Sequence, residues 1–277
     1  MKLKLQIIAC SAVLSAASHA QQYWKTDGTS GTWTGSAWGT SASGPFTNAW
    51  VSNSNVQFTA NSTVTFATAS IGNVTVADGV AVTVNQAGTM STNSAVRTFD
   101  IGTGSTLTWT SQNVSNNSAS GFIKNGAGIW NIGAQGNLYT GGFTLNAGTV
   151  IVSGNNSFGG SGSALSINGG TIQSSGGRTY ANNITLGGNF THTGTGNATF
   201  GGTVNLGSST RTITNSTTSG SRIYSGVISG SSGAGLTFDG SGAGQIYIGN
   251  TGNSFSGNIT INGGEVGFAD NGSLGAA

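Results

Sequence analysis

Six acids remain once the first twenty residues are set aside: Asp27, Asp78, Asp100, Asp239, Glu265 and Asp270. Glycoside hydrolysis needs two carboxylates about 5–10 Å apart, and lyase chemistry needs acids for Ca²⁺ plus a base. Asp78-Gly79 and Asp239-Gly240 read as turn dipeptides, where Asp bonds nearby backbone. Asp100 and Arg97 are expected to form an ordinary surface pair. Glu265 and Asp270 are close in sequence, but no basic residue lies near them. No catalytic residue is assigned, and the chain reads as a non-enzyme.

Metal and ligand signals fare no better. Gly159-Gly160-Ser161-Gly162-Ser163-Ala164-Leu165-Ser166-Ile167 nearly matches a Ca²⁺-binding nonapeptide, but Ala164 stands where the ligand Asp belongs. It reads as a β-helix corner. His192, within Thr191-His192-Thr193-Gly194-Thr195, has no second His or Cys to make a metal site. No cofactor or metal is expected. The same threonines suggest an ice-binding face, but the run does not recur at a fixed period, so none is assigned. Trp109, Trp130, Tyr139 and Phe255 could stack on sugars. Tyr139 and Phe255 hold equivalent places in an internal repeat, which favours a structural role. Asn-x-Ser/Thr triplets such as Asn183-Ile184-Thr185 follow from composition.

Composition bounds the remaining possibilities. Glycine makes up 49 of 277 residues and charged residues 5 %, against about 7 % and about 25 % in ordinary proteins. Eight Lys and Arg spread over the chain cannot neutralise a run of phosphates, so nucleic acid is excluded as a partner. A single Pro and no strict Gly period exclude collagen. Hydrophobic residues are still 35 % and the net charge is +2, unlike a disordered chain.

Residues 1–20 read as a secretory signal. Lys2 and Lys4 precede an apolar stretch over 5–17, and Ser18-His19-Ala20 is a small-x-small cleavage site. Ile7-Ile8-Ala9-Cys10 could be a lipoprotein box, but the apolar stretch before it is short. Cys10 is the only cysteine, so the mature chain enters an oxidising space without disulfides. No later segment approaches 18 apolar residues, so no transmembrane helix is expected in the mature chain. The expected location is secreted, or on a bacterial cell surface or outer membrane.

The elements that must position any site are short strands. Residues 21–55 hold Trp24, Trp33, Trp38 and Trp50 with Pro45, and read as a Trp-rich N-terminal cap. From residue 56 to 277, pieces such as Thr63-Val64-Thr65-Phe66, Ala81-Val82-Thr83-Val84 and Thr149-Val150-Ile151-Val152 alternate apolar with polar residues between Gly/Asn turns. That is the period of a strand with one buried face. Almost no helix is expected.

The chain also repeats. Residues 126–152 fall without gaps on 242–268: Ile132 meets Ile248, Gly136-Asn137 meets Gly252-Asn253, Tyr139 meets Phe255, and Thr144, Asn146, Gly148 and Val150 meet Thr260, Asn262, Gly264 and Val266. Short periodic strands with Gly/Asn corners predict a β-solenoid with coils of about 20–25 residues. In register, like stands above like. Stacked charges repel while Thr, Ser and Asn tolerate stacking, so the low charge follows from the architecture. Val150, Ile132, Val266 and Ile248 are predicted to point inward.

The string from Ile123-Lys124-Asn125-Gly126-Ala127-Gly128-Ile129-Trp130-Asn131-Ile132-Gly133, through Asn137-Leu138-Tyr139-Thr140-Gly141-Gly142-Phe143-Thr144-Leu145-Asn146-Ala147-Gly148-Thr149-Val150, closely resembles the autotransporter-associated β-strand repeat. The second copy departs from that pattern at Ile246 (for Trp130) and Gly263 (for Ala147). Tyr23-Trp24, Gly31-Thr32-Trp33, Trp38 and Asn55-Val56-Gln57-Phe58 are similar to the segment that precedes such repeats. The resemblance implies an all-β, right-handed parallel β-helix in a bacterial exported protein, often a passenger of a large surface protein. It transfers no catalytic residue. The expected function is a non-enzymatic, adhesin-like structural module that meets surface glycans or other cell-surface molecules. The alternative is a polysaccharide-binding or carbohydrate-active β-helix protein. The second copy stops at Ala277 before its next strand, so the chain is expected to be a fragment whose open C-terminal coil self-associates.

Overall fold

Alternating apolar residues give most strands one buried side, and glycine-rich corners turn the chain after two to seven residues. The computed structural model describes residues 20–110, 114, 119–133 and 138–276. Apart from Ala20, the expected leader lies outside them, as do Gly136, Asn137 and Ala277. The chain winds as a β-solenoid whose walls are parallel sheets, and successive strands visit the walls in turn.

The first face has eleven strands. It runs from Gln21–Trp24 and Asn55–Phe58 through Gly121–Asn125 and Phe143–Leu145 to Ile228–Ser229. The second face, also of eleven strands, runs from Gly31–Thr32 through Ile129–Ile132 and Thr149–Val152 to Ile259–Ile261. The third side is less regular. Ala69–Ser70 pairs with Met90–Ser91 near the start, and a five-stranded sheet begins only at Arg178–Tyr180 and ends at Glu265–Phe268. The first coil takes 34 residues, from Gln21 to Asn55, more than expected; later coils vary from the 18 residues between Val56 and Val74 to the 25 between Val74 and Phe99. The shortest coil, like the 19 residues from Leu165 to Ile184, falls below the expected range.

Inward residues stack in columns. Leu107, Trp130, Val150 and Ile172 stand one above another on the second face, all fully buried. Trp130 also stacks flat on Phe99, with centroids 4.0 Å apart. Ile132 and Ile248 are buried as predicted, while Val266, in the last coil, is only partly covered. Outside, Asn146 Nδ2 donates to Asn125 Oδ1 and Asn168 Nδ2 to Asn146 Oδ1, both at 2.7 Å, forming a ladder along one corner. Gly148 makes that corner possible. Its φ is +69°, and a Cβ there would lie 2.4 Å from the carbonyl oxygens of Gly126 and Gly128.

The Trp-rich segment is itself the first coil. Gln21–Trp24 lies parallel to Asn55–Phe58 and Gly31–Thr32 parallel to Ser62–Phe66. Trp38–Gly39 then runs antiparallel along the outer edge of Gln21–Trp24. Trp24, Trp33 and Trp38 are buried edge to face, with Trp24–Trp38 at 4.9 Å and Trp33–Trp38 at 5.1 Å. At the other end, a 3₁₀ turn at Asn271–Leu274 carries a capping box from Asp270. It is the only helical element among the described residues.

Candidate functional site

The acids are dispersed; Asp27 and Asp270 bond within their own turns and Asp78 reaches the next coil, whereas Asp239 and Gly240 end the strand Leu236–Gly240 rather than forming the expected turn. Asp78 Oδ1 accepts from Thr103 N and Asp239 Oδ1 from its neighbour Gly240 N, each at 2.7 Å. Asp270 Oδ1 accepts from Gly272 N at 2.7 Å. Asp27 takes the Thr29 amide and hydroxyl and pairs with Lys25 at 3.7 Å. Those bonds, the Thr29 amide first, hold its carboxyl below the usual range. Glu265 Oε1 accepts from Gln245 Nε2 at 2.8 Å, in the adjacent strand.

Asp78 and Asp100 share a surface recess of about 450 Å³ with Thr75, Gly102, Thr103 and Gly126. The expected Arg97–Asp100 surface pair does not form. The two residues are three apart on one strand, so they face opposite sides of it. Asp100 is exposed, whereas Arg97 turns inward and donates from Nη2 to Thr92 O at 3.0 Å.

The basic side chains, not the acids, hold the unexpected positions. Lys124 occupies the inward column between Phe99 and Leu145. Its Nζ donates to Asn125 O at 2.6 Å, Gly126 O at 2.7 Å and Ala147 O at 3.3 Å. Burial lowers its pKa to about 8, with Asp100 pulling the other way. His192 sits in the second-face column above Ile172 and below Asn215. Its Nε2 is 2.6 Å from the Tyr224 hydroxyl, and burial first, then Arg222, lowers its pKa to about 3. Arg222 is fully buried on the third face. Composition concealed these three. The signal was alternation: Thr191 and Thr193 face out, so His192 must face in, and Ile223 does the same for Arg222 and Tyr224.

The other candidates also fall into place. Trp109, Trp130, Tyr139 and Phe255 are all buried, so none offers a face to a sugar. Tyr139 OH donates to Ser157 O at 3.1 Å. Within the Gly159–Ile167 stretch the first five residues form a corner, with Gly159 and Gly162 at positive φ and Ser163 Oγ donating to Tyr139 O at 3.0 Å, and Ala164–Ile167 is the strand that follows. Among the described residues, no three His, Cys, Asp or Glu side chains lie together, and no helix is long and apolar enough to cross a membrane.

The threonine run itself does not recur, but one of its residues aligns with threonines in neighbouring coils. Thr149, Thr171, Thr191 and Thr214 stack in one outward column. Unequal coil lengths hide this from a fixed-period search. The column offers uncharged hydroxyls at the strand spacing of about 4.8 Å.

Fold and surface together define a β-solenoid with a capped first coil, a polar patch inside its core and a largely neutral exterior. No family model, curated protein or solved structure matches the chain.

Proposed function

We propose that this chain is an exported, non-enzymatic β-solenoid: a structural, adhesin-like module that serves as a passenger segment of a larger bacterial surface protein. One observation carries this reading. The side chains best suited to proton transfer, His192, Lys124 and Tyr224, are buried inside the solenoid, while Asp78, Asp239 and Asp270 outside are taken up by backbone amides. Eleven stacked strands make a stiff rod about 50 Å long, which suits display at a distance from a membrane. The signal-like leader and the repeat resemblance support export. Two measurements test it. The mature chain should leave a panel of polysaccharides unhydrolysed, and protease treatment of intact cells should release it. Turnover abolished by replacing one of the six acids, or protection of the chain in intact cells, would overturn the reading.

A polysaccharide-binding role is the second reading, supported by the column Thr149, Thr171, Thr191 and Thr214. A glycan array distinguishes it: binding that is lost in the double variant Thr171→Val, Thr191→Val would favour this role.

A further inference from the structure

The third face carries two arginines in one inward column. Arg178 pairs with Ala198, and Ala198 with Arg222. Two guanidiniums therefore stem from positions two coils apart, with only a methyl group between them. Arg222 Nη1 donates to Gly196 O at 2.6 Å and to Ser221 O at 3.4 Å, and Nη2 to Thr193 O at 2.9 Å. Arg178 Nη1 donates to Gly177 O at 3.1 Å. Both Nε atoms are buried and without a partner.

Neither cation is compensated. Among the described residues the one ion pair is Lys25–Asp27. The ionisable groups acting on Arg222 are the phenols of Tyr224 and Tyr180, not a carboxylate. Burying an unpaired guanidinium, as at Arg222, is strongly unfavourable, and the half-buried Arg178, whose Nε is itself covered, adds repulsion from the same column.

Three more buried polar atoms lack partners in these coils: Ser174 Oγ, Tyr180 OH and His192 Nδ1. Ser174 stands beside Gly194, next to the Thr193 and Gly196 carbonyls that hold Arg222. Tyr180 shares a strand with Arg178. When the Tyr224 hydroxyl donates to His192 Nε2, the imidazole proton lies on Nδ1. Each of the five unpartnered atoms can then donate, and the two Nε atoms can do nothing else. Native cores leave few such groups without a water or an ion. A cation would be repelled here, and water leaves the charge uncompensated. We propose that the inner corner between the second and third faces binds a small monovalent anion of the chloride type. Arg178 and Arg222 hold it, with hydroxyl donors from Ser174 and Tyr180. The regular third sheet begins at Arg178–Tyr180, so the ion would tie that wall to the second face where it starts.

The probe is bromide. The mature chain is melted at constant ionic strength while bromide replaces a bulky organic anion, and crystals grown in bromide are examined for anomalous scattering. The expected result is a melting temperature that climbs by a few degrees per tenfold rise in bromide, with an anomalous peak between Arg178 and Arg222. Arg222→Met removes the halide response. Arg178→Met serves the same purpose should the first variant fail to fold. Bromide-independent melting of the parent, an equal response in both variants, or a corner holding only water would overturn the proposal.

Discussion

The His192 Nε2 atom and the Tyr224 hydroxyl meet 2.6 Å apart inside the solenoid, one reaching from the second face and the other from the third. The histidine is fully buried and its pKa lies at about 3, below its ordinary value of 6.5. Between those values the unfolded chain takes up a proton that the native chain refuses. This contribution to stability is therefore complete above pH 6.5 and is lost as the pH falls. The loss is about 1.4 kcal/mol per pH unit. Denaturant titrations between pH 6.5 and 4.5 should show that slope, and His192→Gln should flatten it.

Lys124 predicts a second window. Its folded pKa of about 8 lies below the ordinary 10.5, so between these values the unfolded state binds more protons. Stability should rise as the pH increases from 8 to 10, by up to about 1.4 kcal/mol per unit. Lys124→Met should lack the rise in the same titration.

Val150 stands between Trp130 and Ile172 with no exposure, whereas its repeat mate Val266 is partly covered in the last coil. Val150→Asp buries an unpaired charge and should cost several kcal/mol. Val266→Asp should cost much less. Thermal melts of the two variants check the contrast, and equal losses would contradict the inward placement of Val150.

Gly148 and Gly79 share a positive φ, +69° and +71°, but differ in their surroundings. A Cβ on Gly148 meets two carbonyl oxygens at 2.4 Å, while one on Gly79 meets nothing within 4 Å. Gly79→Ala should cost about 1–2 kcal/mol from backbone strain alone. Gly148→Ala should cost distinctly more. Chemical denaturation of the pair measures the difference.

The two ends of the rod differ. Trp38–Gly39 covers the first-face edge at one end, while Ile259–Ile261 and Glu265–Phe268 present unpaired edges at the other, with Ile261 51 % exposed. Unpaired edges invite strand pairing. A purified chain of residues 21–277 should form larger species in sedimentation velocity as its concentration rises, and Ile261→Lys should suppress them. A parent that stays monomeric throughout would contradict this.

Much of the fold was legible because the alternation of apolar and β-branched residues survives without knowledge of neighbours. The 63–66, 81–84 and 149–152 pieces are strands or lie within them. What the sequence hid depends on register. His192, Lys124 and Arg222 read as surface groups by type, and only their place in a stacked column puts them inside. The Thr149–Thr214 column was invisible for the same reason, since coils of unequal length break any fixed period. The Arg97–Asp100 pair failed because closeness in sequence ignored which side of the strand each residue occupies.

The 116-residue internal match has a geometric twist. Trp130 lies on the second face but its counterpart Ile246 on the third, and Phe143–Leu145 lies on the first face while Ile259–Ile261 lies on the second. Tyr139 fills the third side of its coil and Phe255 the first side of its own, both buried. The copied block thus re-enters the solenoid one wall later. A corner glycine followed by a strand works equally well on any wall, so a duplicated or deleted block of such a gene need not contain whole coils. Each such event shifts the angular phase of everything downstream. Over a lineage, insertions and deletions would act as a dial, turning one surface past another while the core stays closed.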